Sequence, residues 1–161
     1  MKLLAASDIH GDINAVEKLA KRAKDEKVDL VILAGDLSIF GDGLEGLLKP
    51  FKDAKKKVAL IPGNHDSEAD IFLLKQRYPD MLYDMHSYAF RIGDVGFFGC
   101  GLANIGPNEL SEYEIKKRIE DAQSNVQSLR EERQQLEERT ELAERDHVFS
   151  GSHIHSTGVA H

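Results

Sequence analysis

The sequence predicts an α/β domain, in which short buried strands alternate with amphipathic helices. Three observations support this fold class. Three apolar runs of strand length each end at turn residues, and segments with helical spacing separate them. The chain has 161 residues, 41% of them hydrophobic, which suffices for one ordinary core. No long repeat or Pro/Ser-rich linker divides it, so we expect a single domain over residues 1–161.

The three predicted strands are short and almost wholly apolar. They are expected at Leu3–Ala6, Leu30–Ala34 and Val58–Ile61. The first ends at Ser7-Asp8, and glycine follows the other two closely. Ligands of α/β domains bind in the loops that follow the carboxyl ends of such strands. The loops after these three strands are therefore the places where a functional site is expected.

Helices are predicted between the strands. Apolar residues recur at helical spacing from residue 13 to residue 23, with Lys and Glu between them. Leu44–Lys56 is helical in character, although Pro50 interrupts it. Glu68–Tyr78 is the third predicted helix of this part of the chain.

Two further β elements are predicted after the third helix. Tyr88–Arg91 and Val95–Phe98 are expected to form a hairpin around Gly93-Asp94, a dipeptide typical of tight turns. His147–Ser150 is expected to be a strand near the end of the chain.

Residues 111–145 predict one long helix without Gly or Pro. Between 115 and 143, nine positions follow an unbroken 4-3 spacing, and seven of them are apolar. Arg133 and Thr140 are the two polar exceptions. This heptad pattern is typical of a coiled-coil partner. Three arrangements stay open: a homodimer through 115–143, a helical hairpin, and a helix lying along its own domain.

Composition excludes some function classes. The formal net charge of −7 argues against a large footprint on extended nucleic acid, which needs an excess of Lys and Arg. Cys100 is the only cysteine and cannot form an internal disulfide, which fits a reducing compartment, so a cytoplasmic protein is expected. No apolar run approaches the length of a membrane span, and the apolar start is too short for a signal peptide.

Four motifs built from metal-ligand residue types occur in order, each after a strand-like run. They are Asp8-Ile9-His10, Gly35-Asp36, Gly63-Asn64-His65-Asp66 and His153-Ile154-His155. Alternate residues on an extended backbone point the same way, so Asp8 and His10 can reach one ion. The carboxylate of Asp36 can bridge two cations. Nitrogen and oxygen ligands without thiolates suit Mn, Fe, Zn, Co or Ni.

The motifs differ in specificity. Asp-X-His alone is weak, and Gly-Asp after a strand is also ordinary turn chemistry. Gly63-Asn64-His65-Asp66 is more specific, because a turn explains Gly and Asn but not the following His and Asp. All four motifs in order leave a purely structural α/β domain with chance motifs as the weakest interpretation.

This order of motifs resembles the calcineurin-like metallophosphoesterases, and within them the small bacterial and archaeal phosphoesterases. The resemblance covers residues 1 to about 110, and residues 147–158 more weakly. It implies a β-sandwich flanked by helices, here with the heptad-patterned helix near the C-terminus. It implies two divalent metal ions, with manganese favoured and Fe, Ni, Co or Zn compatible. The implied activity is hydrolysis of a small phosphodiester or phosphomonoester by a metal-bound hydroxide.

The resemblance also implies a role for each motif residue. The ligands of the first metal would be Asp8, His10, Asp36 and His155. The ligands of the second would be Asp36, Asn64 and His153, with Asp36 bridging. His65 would be the acid that protonates the leaving alkoxide or stabilises the phosphate, and Asp66 would orient His65.

Three features depart from the family pattern. The family usually has another metal-binding His before its last motif, where this chain has the heptad helix; His86 and His147 are the candidate substitutes. Ser152 is inserted between Gly151 and His153. The family also normally continues beyond the point at which this chain ends. These departures favour an alternative function, a non-catalytic scaffold that uses the heptad helix for protein–protein interaction.

The substrate is poorly defined by the sequence. No aromatic or basic cluster that would select a base or a long nucleic acid is evident. Phe40, Tyr83 and Phe97 are candidates to line a pocket, although core packing is the commoner role of such residues.

Overall fold

The computed structural model describes residues 1–86, 88–102, 104 and 108–151, with side chains as far as residue 142. Within these residues it contains six strands and four helices. The strands are β1 (Leu3–Ala6), β2 (Leu30–Ala34), β3 (Val58–Ile61), β4 (Leu82–Asp84), β5 (Phe90–Ile92) and β6 (Val95–Phe97). The helices are α1 (Ile13–Asp25), α2 (Lys49–Asp53), α3 (Glu68–Arg77) and α4 (Glu112–Gly151).

The first four strands form one parallel sheet in the order β1-β2-β3-β4. Leu3 pairs with Leu30, Val31 with Val58, and Val58 in turn with Leu82. Parallel neighbours need crossover connections, and α1, α2 and α3 supply them. All four strands therefore end at the same edge of the sheet.

The two faces of the sheet bury different partners. Val31 and Leu33 of β2 belong to the cluster that the helices cover, while Leu30 and Ile32 contact the opposite cluster. The antiparallel hairpin of β5 and β6 covers that opposite face. The ring of Phe90 stacks between those of Tyr83 and Phe97, at centroid distances of 4.5 Å and 5.1 Å. The layers are thus helices, parallel sheet and hairpin, which confirms the α/β prediction.

Most elements lie where the sequence predicts them. β1, β2 and β3 have the predicted bounds, and α1, α3 and the hairpin differ only at their ends. β4 was not predicted, because its three residues are too few for a clear pattern. The predicted helix Leu44–Lys56 is too long: α2 spans only Lys49–Asp53. Pro50 does not divide a longer helix but lies in the first turn of this short one, where proline costs no hydrogen bond.

The predicted strand at His147–Ser150 is wrong, because α4 continues through it to Gly151. No Gly or Pro occurs between Glu112 and Ser150, so nothing in the sequence stops the helix earlier. The predicted long helix itself is confirmed. In the described part of the chain, no helix has both the length and the apolar character that crossing a membrane requires.

The middle of the heptad seam contacts the chain's own hairpin. Val126 of α4 lies against Gly96 of β6, where a side chain on the glycine would collide with it. The guanidinium of Arg133 donates to the carbonyl of Gly93 at 2.6 Å and pairs with Asp94 at 3.2 Å. This polar seam position therefore serves the hairpin turn. Leu136, the next seam position, is 63% exposed.

Glu68 joins three elements at one end of the fold. Its carboxylate accepts hydrogen bonds from Nε2 of His86 and from the guanidinium of Arg118, each at 3.1 Å. His86 follows β4 and Arg118 lies on α4, so the carboxylate connects both to α3. The hydrogen bond from His86, and after it the contacts with Arg118, hold the pKa of Glu68 below its usual range.

Replacing Glu68 with Gln should reduce the acid sensitivity of the fold. A lowered folded-state pKa means that the carboxylate stabilises the folded chain fully above its unfolded pKa of about 4.3. That stabilisation is lost as the pH falls through the lowered pKa. The urea midpoint should therefore change less between about pH 7 and about pH 3 in Glu68→Gln than in the parent. Glu138→Gln, at an exposed position of α4, is the control. The same pH difference in all three proteins would contradict the assignment.

Candidate metal centre

Backbone hydrogen bonds connect the loops that follow the first three strands. The amide of Asp8 donates to the carbonyl of Gly35 at 3.1 Å, and that of His10 to Asp36 at 2.9 Å. The amide of Gly35 donates in turn to Ile61 at 2.8 Å. These bonds extend the pairing of the parallel sheet beyond the strand ends. Three of the four predicted motifs therefore meet at one edge of the sheet.

Three of the predicted ligands have left-handed backbone conformations. The φ angles are 55° at Asp8, 47° at His10 and 51° at Asp36. This region costs a residue with a side chain on the order of 1 kcal/mol, and it is enriched at functional sites. Asp8 and His10 therefore converge through a tight loop and not through the strand alternation from which the sequence prediction started.

The side chains of Asp8, His10 and Asp36 form a candidate cluster of metal ligands. One ligand atom from each lies within 4.8 Å of the other two. Atoms bound to one ion at about 2.1 Å can be at most about 4.2 Å apart, so small side-chain rotations complete the geometry. Two carboxylates this close repel each other, and a divalent cation relieves the repulsion. Two oxygen ligands and one imidazole fit Mn, Fe, Co, Ni or Zn.

The loop after β3 packs directly on Asp36. Oδ1 of Asp36 accepts a hydrogen bond from the amide of His65 at 3.1 Å. A side chain at position 63 would collide with the carboxylate and the amide of Asp36, so only glycine fits there. Asn64 is half-buried and lies between Gly63 and His65, both of which contact Asp36. Asn64, the predicted ligand of the second metal, therefore lies in the loop that contacts the carboxylate of Asp36.

Asp66 is fully buried, and its carboxylate holds two loops together. It accepts hydrogen bonds from the amides of Leu37, Ser38 and Gly63 at 2.9–3.1 Å. The hydroxyl of Ser38 adds a longer bond of 3.3 Å. Leu37 and Ser38 directly follow the ligand Asp36, and Gly63 lies in the loop that carries His65. The carboxylate thus fixes the spacing between these two motifs.

This position differs from the expected role of Asp66. The sequence prediction had Asp66 orient the ring of His65, yet its partners are backbone amides and a serine hydroxyl. Among the described residues, Nδ1 of His65 is buried without a hydrogen-bond partner. Asp66 therefore positions the loop of His65 and not its ring. Ser38, which sequence reasoning missed, belongs to the same network.

The ring of His65 contacts two other rings. The rings of His10 and His65 make an edge contact, with centroids 5.4 Å apart and planes at 84°. The ring of Phe40 also contacts that of His65, with centroids 4.7 Å apart and planes at 52°. Of the three aromatic candidates from the sequence, Phe40 therefore lies at the site, while Tyr83 and Phe97 pack around Phe90.

The remaining histidines separate into two groups. His86, a candidate substitute ligand, is buried, and its Nδ1 accepts from the amide of Gly101 at 2.8 Å. Its Nε2 contacts Glu68, so both ring nitrogens have protein partners. His153 and His155 lie outside the described residues, as does the side chain of His147.

Comparison with known proteins identifies the family of this fold and site. The profile of the calcineurin-like phosphoesterases matches residues 1–156. No curated protein sequence matches the chain significantly. Among solved structures, the protein TT1561 of Thermus thermophilus is similar, with 22% identity and a TM-score of 0.62. That match covers 74% of this chain and 60% of TT1561, and its low identity shows the fold alone.

A structure described as that of a novel archaeal phosphodiesterase shares 27% identity. Its TM-score is 0.48, and the match covers 62% of this chain and 58% of that one. The chain spans about three fifths of the length of the solved structures that it matches.

Replacing Asp66 with Asn should destabilise the fold strongly. The amide group would place a donor against the buried amides that now donate to the carboxylate. We expect the free energy of unfolding to fall by about 2–4 kcal/mol, measured by urea denaturation. Asp80→Asn, at an exposed position, should leave it within about 0.5 kcal/mol of the parent value. Equal stability of the two variants would show that the carboxylate does not hold the loops.

Proposed function

Because the chain belongs to the calcineurin-like phosphoesterase family, we propose that it hydrolyses a small phosphodiester or phosphomonoester with two divalent cations. The observation that supports this proposal most directly is the convergence of Asp8, His10 and Asp36 beside His65. Manganese is the proposed metal, and Fe, Ni, Co and Zn suit the same ligands.

The proposed ligand sets are those that the family resemblance implies. The first set comprises Asp8, His10, Asp36 and His155, and the second comprises Asp36, Asn64 and His153. The cations would activate a water molecule and neutralise charge on the phosphate oxygens. Oδ1 of Asp36 already accepts from the amide of His65, so this carboxylate keeps its other oxygen and a second lone pair for bridging.

His65 is proposed as the acid that assists the departing oxygen. Its ring makes an edge contact with the ring of His10, one of the proposed metal ligands. The backbone bond from His65 to Asp36 and the network of Asp66 hold its loop in place. A positioned acid is expected to contribute on the order of 10²–10⁴ in rate.

The substrate is proposed to be small. Asp8 and His10 are exposed, so a phosphate can reach them from solvent. The net charge of −7 gives little attraction for a long polyanion. A cytoplasmic location and a homodimer through residues 115–143 stay predictions. Among the described seam side chains, those of Ile119, Leu129 and Leu136 are exposed and could contact a partner helix.

Metal-dependent hydrolysis is the first test of this function. Mn, Ni, Co, Zn and Mg would each be supplied with bis-p-nitrophenyl phosphate and with p-nitrophenyl phosphate. Asp36→Ala should lower turnover at least 10²-fold, because it removes the bridging carboxylate. Asp42→Asn, an exposed carboxylate in the neighbouring loop, should keep turnover within about twofold.

Metal binding can be measured apart from turnover. A cation that binds only the folded chain raises its stability, by about 2.7 kcal/mol at a concentration of 100 Kd. The parent and Asp42→Asn should show this thermal shift, and Asp36→Ala should lose most of it. A shift without turnover for any metal would overturn the enzyme proposal and favour the alternative, a scaffold that kept the fold and lost the chemistry.

Replacing His65 with Ala should reduce turnover while sparing metal binding. An acid matters most when the leaving alkoxide is a poor leaving group. We therefore expect a smaller loss with p-nitrophenyl phosphate than with methyl phosphate, for which the loss should approach 10²–10⁴-fold. Calorimetric titration with Mn²⁺ should give a similar affinity to the parent. Unchanged turnover on both substrates would remove His65 from the mechanism.

A further inference from the structure

Residues 39–42 form a tight turn beside the metal centre. The amide of Ile39 donates to the carbonyl of Asp42 at 3.2 Å, and that of Asp42 to Ile39 at 3.1 Å. The two residues between them, Phe40 and Gly41, have φ angles of 53° and 87°. Two backbone bonds around two left-handed residues are the mark of a type I′ turn.

Phe40 is an unusual choice for this turn. The first central position of a type I′ turn favours Asn, Asp and Gly, because other side chains are strained at positive φ. The ring gains little from burial in return, since Phe40 is 62% exposed. Neither local propensity nor core packing therefore explains the phenylalanine. Strain of this kind is concentrated at functional sites.

The exposed ring lies against the proposed acid. Its centroid is 4.7 Å from that of His65, whose ring also makes an edge contact with the ring of His10. A group that extends from an oxygen protonated by His65 would therefore reach the ring of Phe40. The surface that the ring offers is planar and apolar.

The turn is anchored to the same network that holds the His65 loop. The hydroxyl of Ser38 accepts a hydrogen bond from the amide of Gly41 at 3.0 Å. The amide of Ser38 donates to the buried carboxylate of Asp66. Farther along, Gly43 lies against Gly11, next to the ligand His10. The position of the Phe40 ring is thus coupled to that of the metal ligands.

We propose that Phe40 binds the leaving group of the substrate by stacking. The substrate class would then be a phosphoester whose leaving alcohol carries a planar ring, such as an aryl or nucleoside group. This inference rests on the proposed phosphoesterase function and deepens it. Stacking on one exposed aromatic ring is expected to change affinity by about threefold to tenfold.

The test compares phenyl phosphate with methyl phosphate. Phe40→Asn is the main variant, because Asn suits a type I′ turn and removes the ring. Phe72→Ala is the matched control, since Phe72 lies on α3 and is 59% exposed. Phe40→Asn should raise KM for phenyl phosphate about threefold to tenfold, with kcat within about twofold. Its KM for methyl phosphate should not change, and Phe72→Ala should match the parent on both substrates.

Thermal stability separates this role from a structural one. A binding role predicts an equal or higher Tm for Phe40→Asn, because the strain in the turn is relieved. A clear fall in Tm, or a KM that rises equally for both esters, would overturn the proposal. So would a KM for phenyl phosphate that does not change.

A binding measurement distinguishes failure of the inference from failure of the proposed function. If the parent hydrolyses neither ester with any metal, the phosphoesterase function fails. Calorimetric titration of the Mn²⁺-loaded parent with phenylphosphonate and methylphosphonate then still tests the stacking surface. A preference for phenylphosphonate that Phe40→Asn abolishes would support it. Equal binding of the two phosphonates, or no binding of either, would overturn it.

Discussion

The buried carboxylate of Asp66 is the interaction on which the arrangement of the site depends. A fully desolvated carboxylate is stable only when donors surround it, and here three backbone amides and a hydroxyl do so. The donors come from the loops after β2 and β3, so the bond set fixes one loop against the other. Asp36 directly precedes the donors Leu37 and Ser38, and His65 directly precedes Asp66, so the same bonds hold both residues in place. Asp66 was expected to orient His65 directly. Its carboxylate instead holds together the two loops that carry Asp36 and His65.

The three candidate metal ligands have left-handed backbone conformations, which cost free energy in the folded chain. Asp8, His10 and Asp36 all have positive φ, and backbone bonds between neighbouring loops hold two of them in place. The strain and the repulsion between two carboxylates both oppose folding. The packed sheet beneath, with an apolar cluster on each face, supplies the opposing stabilisation. Stability made in the core thus offsets the cost of holding these three candidate ligands near one another.

The parts of the fold that could be predicted are those with a strong local pattern. Apolar runs stopped by turn residues predicted β1, β2 and β3 with their observed bounds. β4 was missed because three residues carry too little pattern, and His147–Ser150 was wrongly predicted because an unbroken helix overrides local strand propensity. The order of motifs led to Asp8, His10 and Asp36, which the structure brings together. The partners of Asp66 and the position of Phe40 depend on loop geometry, which cannot be predicted from sequence periodicity.

The paired glycines of the loops have a consequence for protein engineering. Gly11 faces Gly43 and Gly35 faces Gly63, backbone against backbone, and three of the four also have positive φ. Substitution at these four positions should destabilise the loops, because an added side chain would meet a residue of the facing loop and, at three of them, the positive φ disfavours it. The exposed Ile39 and Phe40 contribute little to the core, so changes there should alter binding more than folding. Altered selectivity is therefore best sought at this rim, with the glycine frame left intact.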